Sequence, residues 1–464
     1  MIAAEKAIRS ELSPFKDWRT KWSIAAGLLY PNRYSLAMSN LGFQTIFRHM
    51  HDYDYLKPLR FFTDMELSPE AINPRIDPAS LPLLLVTIPF ELDILNLITF
   101  LKRNNIPLSP QERESTVLIG GGAAIRVNPE PYKAIFDVVL TGDSGPVLGR
   151  IMELAREHLL WDNRQDFIEG VQCIPDMRGE EGPLYSPMVS SLASFRNMFL
   201  VEMGRSCPFR CGFCATPYIY GKHLNFPKQD IIETVREHNP GTDRVGLVGS
   251  AVSEHPDLLE IVTELEEMEL SVSTSSIRID RIGNDAMEVL ARTGARSITI
   301  APETHVPRLA KAMGKNITPE QIVERLHDTD FREIKLYYII GLPDENDADM
   351  QTLADGIGRI QAGLPGRTLS LSVNPFIPKP CARWGNSPME SDKTLNRRFA
   401  VLGKALKKYG IKLTTNYSFR QRLEAIIATG DIDTGRALLR TADNVPVKKA
   451  LKDIGIDPKA EIGG

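Results

Sequence analysis

The chain has 464 residues, more than one ordinary domain accommodates, and its 42% hydrophobic and 25% charged residues are typical of globular proteins with buried cores. Its 55 lysines and arginines nearly balance its 59 aspartates and glutamates, and the formal charge of −4 argues against a broad nucleic-acid-binding surface. The most apolar stretch, 81–101, is interrupted by Glu91 and Asp93 and broken by Pro82 and Pro89, whereas a membrane helix needs about 20 apolar residues. No membrane span is expected, and the mixed-charge N-terminus lacks the apolar segment of a secretory signal. Together these predict a cytoplasmic protein.

Residues 1–170 read as a separate α/β unit. Leu83–Pro89 is a buried-strand run, 91–104 has helical apolar spacing, and 117–119 and 136–140 are further strands. They end in Gly120-Gly121-Gly122 and Thr141-Gly142-Asp143. Strand, helix and strand in this rhythm predict a Rossmann-like parallel sheet, whose strand-end turns are where such sheets bind ligands. Residues 171–194, rich in proline, glycine and acidic groups, read as a linker. From 195 to 395 the alternation resumes, with strands expected at 198–203, 244–248, 270–275, 297–301, 334–340 and 369–374. Between the fourth and fifth of these strands, Thr318-Pro319-Glu320-Gln321 has the signature of a capped helix start. Six strands with crossover helices predict a partial (β/α) barrel, active at the C-terminal ends of its strands. Residues 396–464 read as a small, mainly helical region.

Five cysteines are present: Cys173, Cys207, Cys211, Cys214 and Cys381. An odd count with three thiols in eight residues is not a disulfide framework; it reads as a metal site. Cys207-Pro-Phe-Arg-Cys211-Gly-Phe-Cys214 follows the apolar run 199–203, which places it on the loop at a strand's end. Three thiolates can hold three irons of a cubane cluster and leave the fourth open to a ligand. A structural zinc needs a fourth ligand. His223 lies nine residues on, but no second short-spaced ligand pair is found.

CxxxCxxC at the end of the first barrel strand, with Phe213 just before the last cysteine, resembles the radical S-adenosylmethionine (SAM) superfamily. The resemblance implies a [4Fe–4S] cluster on Cys207, Cys211 and Cys214. It further implies SAM on the open iron, reductive cleavage to methionine and a 5′-deoxyadenosyl radical, and a reductant protein such as a flavodoxin or ferredoxin. Later strand ends match in order. Gly249-Ser250 resembles the turn that meets the SAM amino group. Ser276 and Arg278 resemble the segment that pairs with its carboxylate, and Glu303 the acid that accepts from its ribose. Ile339 and Gly341 resemble the strand end on which adenine packs, with Asn374 near the adenine from the sixth strand.

The segment 30–44, with Phe90-Glu91-Leu92-Asp93, Gly120-Gly121-Gly122, the 128–131 turn Asn-Pro-Glu-Pro and Gly142-Asp143, resembles the opening of a radical SAM subfamily with a cobalamin-binding-like domain. The histidine-bearing DxHxxG motif of many cobalamin proteins is absent. The resemblance therefore leaves cobalamin binding open, with the triple glycine either lining a corrin-tail pocket or making a tight turn. Methylthiotransferases carry three further N-terminal cysteines, and no cysteine precedes Cys173. Cys381, past the sixth strand, is either an active-site hydrogen-atom donor or an inert thiol. The sequence thus predicts carbon-centred radical chemistry, with cobalamin-dependent methyl transfer as its natural outcome if cobalamin binds. The competing reading is an iron–sulfur electron-transfer or binding protein that never cleaves SAM.

Overall fold

The computed structural model describes residues 2–15, 21–66, 68–71, 76–161, 163–176, 182–293, 296–411, 413, 417–457 and 462. The chain forms two compact units. One comprises Met1–Leu200, Arg236–Thr242 and Gly430–Asp457; the other comprises Val201–Val235, Asp243–Thr429 and Pro458–Gly464. Among the described residues, no helix is long and apolar enough to cross a membrane.

The first unit is built on a five-stranded parallel sheet of β1 (Ile24–Tyr30), β2 (Leu56–Phe62), β3 (Leu83–Thr87), β4 (Val117–Gly121) and β5 (Val138–Val139), in the order β2-β1-β3-β4-β5. Helices Leu41–Met50, Asp93–Arg103 and Ser144–His158 connect and cover it. The order reverses between β1 and β3, which makes the loops after those strands the crevice where doubly wound sheets bind ligands. Strands β3, β4 and β5 lie where the sequence places strands. Strands β1 and β2 had no strand signal. The first contains Ala25, Ala26 and Gly27, and the second carries Lys57, Pro58 and Arg60. Pro58 is tolerated because β2 is an edge strand. Arg60 is buried on three partners: its guanidinium donates to Glu11 at 3.0 and 3.1 Å and to Glu70 at 2.7 Å, and its ring-facing side lies 4.8 Å from Phe47.

Part of the segment 171–194 lies outside the described residues; the rest is tied down. Val189–Ser190 pairs antiparallel with Glu11–Leu12, and Ser186 accepts and donates backbone-range bonds with Leu200. The C-terminal region is divided. Helix Ile432–Leu439 belongs to the first unit, where Asn128 Nδ2 donates to the Gly430 carbonyl at 2.7 Å. Helices Asp392–Leu406 and Phe419–Thr429 belong to the second unit.

The barrel strands are β6 (Phe199–Glu202), β7 (Arg244–Val248), β8 (Ser271–Thr274), β9 (Ser297–Glu303), β10 (Glu333–Ile340) and β11 (Thr368–Pro375). They form two three-stranded sheets, β8-β7-β6 and β9-β10-β11, joined among the described residues by one parallel bridge between Ile277 and Ile300. The barrel is therefore open. One face of the second sheet is buried: Ile334, Leu336, Tyr338 and Ile340 of β10 alternate with exposed or half-buried residues. That alternation is the period of a strand with one covered face. The expected cap on helix Pro319–Leu326 is present in full, with Thr318 Oγ accepting from the Gln321 amide and the Gln321 side chain accepting from the Thr318 amide.

Candidate iron–sulfur and SAM site

The three thiols lie on one loop whose ends are clipped together. Strand pair Gly204–Arg205 and Leu224–Asn225 closes it, and the Ser206 hydroxyl donates to the Gly221 carbonyl at 2.7 Å. Ser206 sits at φ +66°, a left-handed conformation costly for a non-glycine residue. Cys207 and Cys214 are half-buried, Cys211 is buried, and all are free. Burial pushes the Cys211 thiol up, opposed by the cations of Lys315 and Arg278. Burial also raises Cys207, opposed by the Phe209 amide and Arg278 and reinforced by Cys214. Arg278 thus lies near both Cys207 and Cys211 and Lys315 near Cys211, but burial outweighs these cations and holds both thiols above their ordinary value. Among the described residues no group of three or more His, Cys, Asp or Glu side chains surrounds a single ion position. His223 Nδ1 lies 3.2 Å from the Arg205 carbonyl, its backbone partner.

Two contacts that the sequence does not announce fix the loop. The Gly212 amide donates to the Met313 carbonyl at 2.9 Å, and the Gly212 carbonyl accepts from the Trp384 amide at 2.8 Å. A Cβ on Gly212 would fall 2.5 Å from the Trp384 ring, so only glycine lets the indole close on the loop. Phe213, next in the chain, packs with Ile339 and Trp384 against Val306, Leu309, Leu342 and Phe376. Phe213 and Ile339, inferred from separate motifs, therefore share one apolar cluster. Ile339 stands opposite Asn374 in the β10–β11 register. Asn374 is exposed and its amide donates to Ser372 at 3.2 Å.

Arg278 follows β8. Its Nε and Nη2 donate to Asp280 at 3.1 and 2.8 Å, and its plane lies 3.9 Å from the Phe209 ring centroid. Its Nη1 is buried without a hydrogen-bond partner, a donor that a bound carboxylate would satisfy. Ser276 and Ser250 are exposed; the Gly249 carbonyl accepts from the Ser275 hydroxyl at 2.8 Å. Glu303 ends β9 past a bulge, at φ +66°, and is buried. It accepts a 2.9 Å bond from Lys315, an ion pair in which both side chains are 10% exposed or less. Burial raises the Glu303 carboxyl, opposed by Lys315. Lys315 is a site residue that the sequence conceals, because its only local signal is the left-handed Gly314 that ends the preceding helix. Gly341 sits at φ +78° and its amide donates to the buried Glu345 at 2.5 Å. Cys381 is half-buried, on the loop that continues to Trp384.

In the first unit, the loops after β1 and β3 are joined where Asn32 Nδ2 donates to Asp93 Oδ1 at 2.7 Å. Burial pushes the Asp93 carboxyl up to about 6. On the same loops Leu36 and Phe90 are exposed, as is Phe195, at 40–51%; the Ser194 amide donates to the Ser35 carbonyl and the Phe195 amide to Ser39, which brings the Phe195 segment to the loop of Leu36. The triple glycine is largely filled from within. A Cβ on Gly120 would meet the Phe136 ring at 2.8 Å, and one on Gly122, at φ +121°, would meet the Ile88 carbonyl at 2.5 Å. Gly121 has more room, its nearest neighbour being the Leu140 carbonyl at 3.7 Å.

An open (β/α) barrel with three thiols on the loop after its first strand is the fold of a class of cluster-dependent enzyme. Residues 201–357 match the radical SAM superfamily model, and residues 70–177 match that of the N-terminal region of radical SAM proteins; the chain belongs to the radical SAM superfamily. An uncharacterised protein of Methanocaldococcus jannaschii is 26% identical over 445 residues, 92% of this chain and 93% of that one. The tRNA-2-methylthio-N(6)-dimethylallyladenosine synthase of Thermotoga petrophila is 25% identical over 247 residues, 46% of this chain and 55% of that enzyme. Among solved structures, the radical SAM methyltransferase TsrM of Kitasatospora setae, with cobalamin and a [4Fe–4S] cluster bound, superposes with a TM-score of 0.55 at 12% identity. The match covers 90% of this chain and 99% of that one, and shows a common fold.

Proposed function

We propose that Cys207, Cys211 and Cys214 hold the [4Fe–4S] cluster, that SAM lies across the strand ends from Gly249 to Asn374, and that the enzyme methylates its substrate with cobalamin carried by the first unit. The observation that carries the reading is the unpartnered, buried Arg278 Nη1 beside a loop of three free thiols. When bound, these cofactors supply an electron for reductive cleavage of SAM to methionine and a 5′-deoxyadenosyl radical, and a carrier for the methyl group.

The chain's own residues divide the binding work. Arg278 offers its third donor to the methionyl carboxylate. The backbone around Gly249 meets the amino group. Glu303, held by Lys315, presents its remaining acceptor capacity to the ribose. Ile339 and Asn374, adjacent in register, flank the adenine, and Phe213 joins the cysteine loop to that apolar wall. In the first unit, the polar pair of Asn32 and Asp93 and the exposed apolar Leu36, Phe90 and Phe195 suit an amphipathic macrocycle with amide arms. With no DxHxxG motif, the chain provides no histidine from that motif as a lower cobalt ligand. A reducing, cytoplasmic location and a flavodoxin or ferredoxin donor suit five free thiols.

The test is anaerobic reconstitution with iron and sulfide, followed by SAM and dithionite, with and without hydroxocobalamin. 5′-Deoxyadenosine and methionine are expected, and a corrinoid spectrum that stays with the protein through gel filtration at one equivalent. No 5′-deoxyadenosine would overturn the SAM reading; protein that sheds the corrinoid would overturn the methyl-transfer reading alone.

A further inference from the structure

The inner face of the second half-barrel is built to bind a polar ligand. In a closed (β/α) barrel the inward positions are layers of packed branched aliphatic residues. Here the outward positions of β9, β10 and β11 are mostly aliphatic and, apart from half-buried Leu369, buried, whereas the inward ones read Ser297, Thr299 and Ala301; Glu333, Lys335, Tyr337 and Ile339; and Thr368, Ser370, Ser372 and Asn374. All are exposed or half-buried, and Tyr337 is 41% exposed.

Register sorts these residues into layers. Lys335 is flanked by Thr299 on β9 and by Ser370 on β11. Tyr337, one layer nearer the strand ends, stands beside Ser372, and Ile339 stands beside Asn374. A cation between two hydroxyls is a donor set for anionic oxygen. Among the described residues, no carboxylate forms an ion pair with Lys335. At about 3.3 Å per residue, Lys335 lies roughly 13 Å along β10 from Ile339. That leaves the Tyr337–Ser372 layer between the anion site and the proposed adenosyl site.

We propose that Lys335, with Thr299 and Ser370, anchors the carboxylate or phosphate of a small polar substrate, whose reacting carbon is presented at the level of Tyr337 and Ser372. This rests on the radical SAM reading and adds the substrate class. Lys335 is a specificity residue, distant from the residues assigned to SAM.

The experiment uses reconstituted protein with SAM and two probes, succinate and inorganic phosphate, followed by ligand-observed magnetic resonance. One anion binds the wild type more tightly and thereby names the headgroup. Lys335→Gln weakens it by about tenfold or more, and Lys335→Arg keeps it within about threefold. Equal binding by wild type and Lys335→Gln, or no binding of either anion by wild type, overturns the proposal. Formation of 5′-deoxyadenosine without substrate is measured on the same samples. Lys335→Gln is expected to match the wild type there, and its absence from the wild type would count against the radical SAM reading instead.

Discussion

The Glu303–Lys315 pair gives a sharp test of how the SAM-facing strand ends are held. Both side chains are 10% exposed or less and 2.9 Å apart. Replacing Lys315 with methionine keeps the stem and removes the cation, which strands a buried carboxylate; losing one partner of such a pair costs about 3–5 kcal/mol. The carboxylate has an escape, because it can take a proton. Burial already raises the Glu303 carboxyl, and Lys315 is what opposes the rise. Holding a carboxyl neutral at pH 7 costs about 1.4 kcal/mol for each unit above its unfolded value near 4.3, or roughly 3.8 kcal/mol. At pH 5 the same term is about 1 kcal/mol. The sign follows from proton counts: in Lys315→Met the folded state binds more protons than the unfolded state above pH 4.3, so the variant loses stability as pH rises. Urea unfolding of the variant and wild-type apoproteins at about pH 5 and pH 7 measures this, with Lys315→Met/Glu303→Gln as the control in which the pH dependence added by Lys315→Met disappears. A Lys315→Met defect that is the same at both pH values, or below about 0.5 kcal/mol, would refute the reasoning.

Arg278→Gln removes the donor proposed for the SAM carboxylate; at about 1.5–3 kcal/mol for a charged hydrogen bond, SAM affinity falls about 10–100-fold while iron content stays at the wild-type level. Cys211→Ala abolishes cluster loading, read as lost visible absorbance and iron content, and 5′-deoxyadenosine formation goes with it. Asp93→Asn flattens the pH dependence of the first unit. The Asp93 carboxyl, raised by burial to about 6, withdraws stability as pH climbs from about 4 through 6. The amide can still accept from Asn32, so the variant is more stable than wild type near pH 7 by up to about 3 kcal/mol in a thermal or urea melt.

What the sequence reveals and conceals here follows the range of the interactions. The Thr318–Gln321 cap is settled within four residues, and the structure forms it as read. Strands β10 and β11 announce themselves by alternation, because one covered face selects aliphatic residues at every second position. Strand β2 is silent because its fifth residue is an arginine that is acceptable only once Glu11 and Glu70, 49 and 10 residues away, close on it. The cysteine spacing is local and legible. The contacts that hold the loop are not, since Gly212 meets Met313 and Trp384 from two later connections.

The same distinction explains why the inner face of β9–β11 was missed as a binding surface. Its serines, threonines and Lys335 are ordinary strand-edge polarity when read one strand at a time. Only the register, which sets Lys335 between Thr299 and Ser370, turns three unrelated polar positions into one donor set. A sheet with one buried, mostly aliphatic face and one exposed, mostly polar face lacks the packed aliphatic interior of a closed barrel. The break between β8 and β9, where among the described residues Ile277 and Ile300 form the bridge, is the physical counterpart of that composition. The residues that would have filled a core are polar, and the strands are correspondingly free to stay apart.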